Sequence, residues 1–297
     1  VDYKRYRLES FGIHPYKDIV NCDISNYSNV ESLIERFKPE YIVHLAAQAG
    51  VRLTIDKSDS YIAANITGFQ NIVRSAVKNE VQGILYASSS SVYGDASPTP
   101  YKEDSTSLRP TSIYGATKLA NEIITPAFVK RSNTRARGLR FFTVYGPWGR
   151  PDMALFSFAN SIIRNKAIDV FNNGNMIRDF TYIDDVIESI ERVIFSPAEM
   201  NREWSSDDPL PDSSSAPYKI YNVGNGQPSS IISYISALEK ALGKRALINF
   251  KELQPGDVLI THADSSSLLA DIDFKPNTTI EEGVNNFVNW FKVFYKV

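Results

Sequence analysis

The residues of this sequence best suited to chemistry are Tyr114 and Lys118, four positions apart, and a run of four hydroxyls, Ser88, Ser89, Ser90 and Ser91. On a helix, positions i and i+4 share a face. A free tyrosine titrates near pH ~10 and is a poor base at neutrality. An ammonium nearby favours the phenolate, lowers that pKa and makes the tyrosine a workable general base. A serine hydroxyl beside it can hold the oxygen whose proton leaves. With 16 Tyr in the chain and lysine at roughly one position in twenty, about one Tyr-x-x-x-Lys match arises by chance. The pair therefore takes its meaning from the elements that carry it.

Those elements alternate. Residues 40–47 (EYIVHLAA) form a short continuous apolar run, as expected for a strand buried on both faces. Ile62, Ile66, Phe69, Val73 and Ala76 recur at helical spacing, with Ser58 or Asp59 as N-cap. A second strand covers 81–88 and runs straight into the serines. A second helix starts near Thr111 or Ser112 after Pro110, carries Tyr114 and Lys118, and is disturbed at Pro126. A third strand covers 136–144. This order implies right-handed crossovers and a parallel sheet. Ligands of open parallel sheets bind at the carboxyl ends of the strands. All three strands here place polar residues at that end: Gln48 to Arg52, Ser88 to Ser91, and Thr143 onward. Beyond them, helices are expected at 154–165, 185–196 and 232–243, with a polar surface loop at 201–217.

Composition narrows the class. Charges nearly cancel, 32 basic against 34 acidic, and no Lys/Arg block marks a nucleic-acid footprint. Cys22 is the one cysteine, so there is no disulfide framework and no thiol cluster for a metal. His14, His44 and His262 are too scattered for a metal site. His44 reads as a packed core residue, the other two as solvated or locally bonded. No apolar run approaches the ~18 residues of a membrane span and no signal peptide is evident, which points to a cytosolic protein.

The motifs VHLAAQAGVR (43–52), YASSSSVYG (86–94), SIYGATKLANE (112–122), LRFFTVYGPWGRPDMALF (139–156), IDVFNNGNMIRDFTYIDD (168–185), YNVGNGQP (221–228) and PGDV (255–258) resemble those of UDP-glucuronate 4-epimerases. These are extended short-chain dehydrogenase/reductases that use NAD. The resemblance runs essentially end to end. It implies a Rossmann-like, doubly wound parallel α/β sheet over residues 1–146. A smaller mixed α/β substrate-capping domain follows over 147–297, with about 178–196 returning to the first domain. It also implies a homodimer, through the helices around 60–79 and 112–131, and a role in supplying polysaccharide biosynthesis.

Residue by residue, the resemblance makes Tyr114 the general base, Lys118 its partner, and Ser89, four before Tyr93, the catalytic serine. Asp23 and Ile24 correspond to the adenine contact, and Ala46, Ala47, Gln48 and Asn65 lie along NAD. Arg52, Ser90 and Ser91 face the sugar. Thr143 and Arg150 hold the C6 carboxylate, Phe171 packs on uracil, and Arg178, Gln254 and Asp257 contact ribose and diphosphate. No metal is implied. Related dehydratases and decarboxylases carry acidic residues beside the catalytic hydroxyl, because elimination needs an acid/base pair. Ser90 and Ser91 occupy those places here, which disfavours both reactions. UDP-glucose 4-epimerases usually have Arg where Gln254 stands, a departure that favours the glucuronate branch and leaves UDP-glucose epimerisation as the alternative activity. The family's Gly-rich phosphate loop should precede residue 1 by part of a stretch of roughly 40 residues. A chain without it would be a catalytically silent fragment.

Overall fold

The computed structural model describes residues 2–13, 19–50, 58–196, 200–254 and 258–297. Helices α1 (Asp2–Ser10) and α2 (Tyr27–Phe37) lead to strand β1 (Tyr41–His44). A short helix α3 (Ser58–Tyr61) passes through a π-helical stretch, Ile62–Gly68, into α4 (Phe69–Lys78). Then come β2 (Gly83–Ser89), α5 (Ile113–Val129), β3 (Arg135–Phe141) and β4 (Thr143–Tyr145). The second half holds α6 (Ala154–Ile163), β5 (Ala167–Val170), β6 (Ile177–Arg178), β7 (Phe180–Tyr182) and α7 (Ile183–Phe195). It continues through β8 (Tyr218–Val223), β9 (Ser229–Ser230), α8 (Ile231–Leu242) and β10 (Leu247–Phe250), and ends in α9 (Ser266–Ile272) and α10 (Ile280–Tyr295).

The main sheet among the described residues has the order β1-β2-β3-β8, every pair parallel. Side chains alternate across it, and both faces are covered. Ile84 and Tyr86 point towards α2, α4 and α5 with Ala136, Tyr218 and Ile220. Leu85 and Leu139 point towards α7 and α9 with Tyr221 and Val223. This is the doubly wound arrangement that apolar runs without alternation anticipate. A second, largely aromatic core joins α6, α8 and α10 to β5 and β7, with Phe180 stacked on Tyr234 at 4.1 Å. Two further parallel pairs join β4 with β7 and β5 with β10. No helix among the described residues is long and apolar enough to cross a membrane, and no metal-holding cluster is found among them.

Two local departures from the expected pattern matter for the site. A 3.6-residue periodicity buries Ile62 and Ile66 with Phe69. In the structure Ile62 is 48% exposed, while Tyr61, Asn65 and Gly68 turn inward. The π-helical stretch adds a residue to the turn and shifts the register before Phe69, Val73 and Ala76 resume the buried face. Pro126 does not break α5. Proline lacks the N–H that would bond the Glu122 carbonyl one turn back. The Tyr218 hydroxyl donates to that oxygen instead, at 3.0 Å, and the helix runs on to Val129.

Candidate active site

A cleft of about 1270 Å³ opens over the carboxyl ends of β2 and β3. It exceeds the ~300–1,000 Å³ typical of a site for one drug-sized ligand. Its wall gathers Gln48, Ser89, Ser90, Ser91, Tyr114, Thr143, Arg150, Phe171 and Arg178, nine of the residues singled out from sequence. Lys118 lies directly behind Tyr114, buried. Asp23, Ile24, Ala46, Ala47 and Asn65 lie off that wall, and so does Gln254. Arg52, Asp257 and His14 fall outside the described residues.

The catalytic candidates are aligned by helix α5. Ser112 caps it, its Oγ accepting from the Gly115 N–H at 3.1 Å. Gly115 permits the close approach that follows, because a Cβ there would meet the Ser91 carbonyl oxygen at 2.6 Å. From this start, positions 114, 118 and 122, spaced by four, address the last three residues of β2. Tyr114 faces Ser89 on the cleft wall, Lys118 Nζ donates to the Ala87 carbonyl at 2.7 Å, and Ser88 Oγ donates to the Glu122 carboxylate. The four serines thus divide. Ser88 is buried under the helix, Ser89 meets Tyr114, and Ser90 and Ser91 start a short 3₁₀ turn on the cleft wall. Ser89 Oγ also donates to Ser91 Oγ at 3.1 Å and accepts the Ser91 N–H at 3.2 Å.

The electrostatics differ from the sequence expectation in one respect. Burial pushes Tyr114 above its ordinary pKa, and the groups that draw it back are Ser89 and the Arg150 guanidinium rather than Lys118. The reason is geometric. The Lys118 ammonium is held by Ala87 and sits 5.8 Å from the centre of the Tyr114 ring. Burial also lowers Lys118 to about 8, against the opposing pull of Glu122. His44 packs in the core against Phe69, the rings tilted with centroids 5.5 Å apart, as the sequence reading expects. Burial, and then the charge of Lys118, hold it down to about 4. Between pH 6.5 and 4 the unfolded chain therefore binds the proton and the folded chain does not. His44 contributes stability that is present above pH 6.5 and lost as pH falls towards 4. Urea unfolding of His44→Leu should accordingly show a shallower loss of stability across that window than the wild type. Identical slopes would remove His44 from the acid response.

Asn65 reaches the site indirectly. Its Oδ1 accepts the Gln48 N–H at 2.8 Å, and its Nδ2 donates to the Gln48 carbonyl at 3.1 Å and to Thr117 Oγ1 at 3.0 Å. It ties the loop after β1 to α5. Asp23 is exposed, its carboxylate accepting the Ser25 N–H at 2.9 Å and holding its pKa down. Arg150 is paired bidentately with Asp152 at the cleft mouth. The other carboxylate on the wall, Asp169, accepts from Asn249 at 2.7 Å. Neither lies in the serine run, so among the described residues of the wall no carboxylate stands beside Ser90 and Ser91 in the sequence.

Sequence reading missed Asp179, which is fully buried. Its carboxylate accepts the N–H groups of Asn225, Gly226 and Ala263 at 2.8, 2.9 and 3.0 Å, and burial still pushes its pKa up. It pins the loop after β8 and the 263 segment beside Thr143, whose N–H donates to the Asp179 carbonyl. Its partners are backbone groups 46 to 84 positions away, so no local pattern announces it.

The model of the NAD dependent epimerase/dehydratase family matches residues 3–224. The chain belongs to this family. Among relatives of this epimerase/dehydratase, Protein CapI of Staphylococcus aureus is 47% identical over 100% of the chain and 88% of its own length. A probable UDP-glucuronate 4-epimerase of Rhizobium meliloti (strain 1021) is 38% identical over 93% of the chain and 82% of its own. Among solved structures, UDP-glucuronic acid 4-epimerase from Bacillus cereus, in complex with UDP-glucuronic acid and NAD, superposes with a TM-score of 0.84. It is 29% identical and covers 99% of this chain and 87% of its own. The epimerase/dehydratase fold is thus shared across the Tyr-Lys helix, the serine run and the cleft above them.

Proposed function

We propose that this chain interconverts UDP-glucuronate and UDP-galacturonate by NAD-dependent epimerisation at C4, through a 4-keto sugar. The observation that carries this reading is the meeting of Ser89, Tyr114 and Arg150 on one cleft wall. A hydroxyl that can exchange a proton faces a cation suited to a sugar carboxylate. The relatives named as UDP-glucuronate 4-epimerases support the same substrate.

The residues fit the cofactor. Lys118 is a buried ammonium with three donors, one of them given to Ala87 at the end of β2, and its remaining donors would suit the hydroxyls of a nicotinamide ribose. Lys118, Tyr114 and Gln48 would hold the nicotinamide end, and Asp23 and Ile24 the adenine end, with Ala46, Ala47 and Asn65 between. NAD, when bound, supplies the hydride acceptor and donor that interconverts the C4 alcohol and ketone.

Tyr114 takes the 4-OH proton and returns it to the new epimer, while Ser89 hydrogen bonds the same oxygen. Thr143 and Arg150 hold the C6 carboxylate, Arg150 exchanging Asp152 for it. An arginine fork suits a carboxylate bidentately and gives a neutral hexose nothing equivalent. Holding that carboxylate also keeps the C5–CO2 bond out of alignment with the C4 carbonyl π system, which restrains decarboxylation of the β-keto acid. Ser90, Ser91 and Arg52 are assigned to the sugar, Phe171 to uracil, and Arg178, Gln254 and Asp257 to ribose and diphosphate. The division at residue 146, with 178–196 returning to the nucleotide-binding domain, belongs to the same reading. So does a homodimer through α4 and α5, supported by the exposure of Ile123 at 68% on α5. A cytoplasmic setting and supply of an activated uronate to polysaccharide assembly complete it, the lone Cys22 being compatible with a reducing compartment.

The test is NMR of the protein with UDP-glucuronate and NAD. An axial 4-OH product supports the reading, whereas UDP-xylose or a 4-keto pentose as main product overturns it. Parallel assay with UDP-glucose separates the neutral-sugar epimerase.

A further inference from the structure

Helix α1 is unusual in what it packs against. Its nine residues form no apolar stripe, and a helix of that length and polarity has little stability of its own. Tyr3 and Arg7, one turn apart on one face, nonetheless reach more than 140 positions along the chain. The Tyr3 hydroxyl donates to the Gly149 carbonyl at 2.9 Å, and Arg7 Nη1 donates to the Trp148 carbonyl at 3.5 Å. The Tyr3 ring packs 5.7 Å from Trp148 and 5.9 Å from Phe294. Trp148 has a left-handed backbone, φ +59°, a conformation bulky residues keep only when neighbours over-determine it. The two carbonyls held by α1 are those immediately before Arg150, and Arg7, Trp148 and Arg150 line the same cleft.

We propose that Tyr3 and Arg7 are positioning residues that set the preference for a uronate, by holding the Trp148–Gly149 peptides so that the Arg150 fork meets the sugar carboxylate. This rests on the reading that Arg150 binds that carboxylate. Bidentate pairing is directional, and a displacement of about 1 Å in a binding group can cost as much as ~100-fold. Burial keeps the Tyr3 hydroxyl protonated, with its pKa pushed up to about 12, so it remains a donor across the working range. A purely structural role for α1 would affect all UDP-sugars alike. The proposed role affects only those with a carboxylate.

The test uses Tyr3→Phe, which keeps the ring packing and removes one donor, assayed with NAD present. The Tyr3→Phe variant should raise KM for UDP-glucuronate about 3- to 10-fold, the range of one hydrogen bond. Its kcat should stay within about twofold, and Kd for UDP-glucose should be unchanged. Arg150→Ala should raise KM for UDP-glucuronate by more than this, and Tyr3→Phe should add nothing on that background. If Arg150→Ala leaves the preference for UDP-glucuronate intact, the carboxylate reading itself fails. If Arg150→Ala abolishes the preference while Tyr3→Phe is silent, additive with it, or equal on both sugars, the role of α1 is overturned and the carboxylate reading stands.

Discussion

Replacing Tyr114 by Phe should lower kcat by about 10²–10⁴-fold, the usual worth of a positioned acid–base group, while KM for UDP-glucuronate moves by less than about threefold. The ring contacts survive the change, including the 6.4 Å approach to Tyr61, so binding and fold should be kept. Only the proton carrier is lost. Neither Ser89 nor Lys118 can take over: a serine hydroxyl is far too weak an acid, and the Lys118 ammonium is bonded to Ala87 behind the ring. Progress curves by NMR give kcat, and calorimetric titration of the nucleotide sugar gives binding. Turnover within tenfold of the wild type would exclude Tyr114 as the base.

The second large effect is on stability. Glu122 and Arg140 form a bidentate ion pair at 3.0 and 2.9 Å, and both side chains are essentially inaccessible, at 3% and 0% exposed. Glu122 also accepts from Ser88, and Arg140 donates to the Tyr93 hydroxyl at 2.9 Å and the Glu103 carbonyl at 3.2 Å. Removing one member of such a pair leaves the other charged and desolvated, which costs about 3–5 kcal/mol. Glu122→Ala and Arg140→Ala should each lose that much in urea unfolding. The double variant should lose less than the sum, with a coupling of about 2–3 kcal/mol. Additive losses would show that the pair is not a unit. The double variant should still be impaired in turnover, because Ser88 to Glu122 is one of the two hydrogen bonds, with Lys118 to Ala87, that align α5 on the end of β2.

Much of the fold was readable because its signals are local. Continuous apolar runs marked β1, β2 and β3, and Ser112 before an apolar-periodic segment marked the start of α5. Helix α10 was equally readable and was missed. Val284, Phe287, Val288 and Phe291 recur at helical spacing behind a cap in which Thr279 Oγ accepts the Glu282 N–H at 3.3 Å. The inward turn of Asn65 was not readable, since a π-helical insertion leaves the composition of the segment unchanged. Among the second-half strands that were also missed, β6, β7 and β9 are only two or three residues long.

What the sequence by itself determined is the inventory and its local order: a serine run ending a buried strand, and a tyrosine and lysine one helical turn apart on the next helix. It also contains a Gly-Pro-Trp-Gly-Arg loop after the third strand. These follow from side-chain type and from the 2.0 and 3.6 periods of strand and helix, which nearest neighbours dictate. Only the tertiary structure decided that Ser88 is a fastening for Glu122 while Ser89 faces Tyr114. It likewise decided that Arg150 rather than Lys118 draws on the Tyr114 hydroxyl, and that α1 grips the Arg150 loop. Each of those outcomes depends on desolvation and on contacts between segments far apart in the chain, where free energy is set by three-dimensional neighbours that no window of sequence contains.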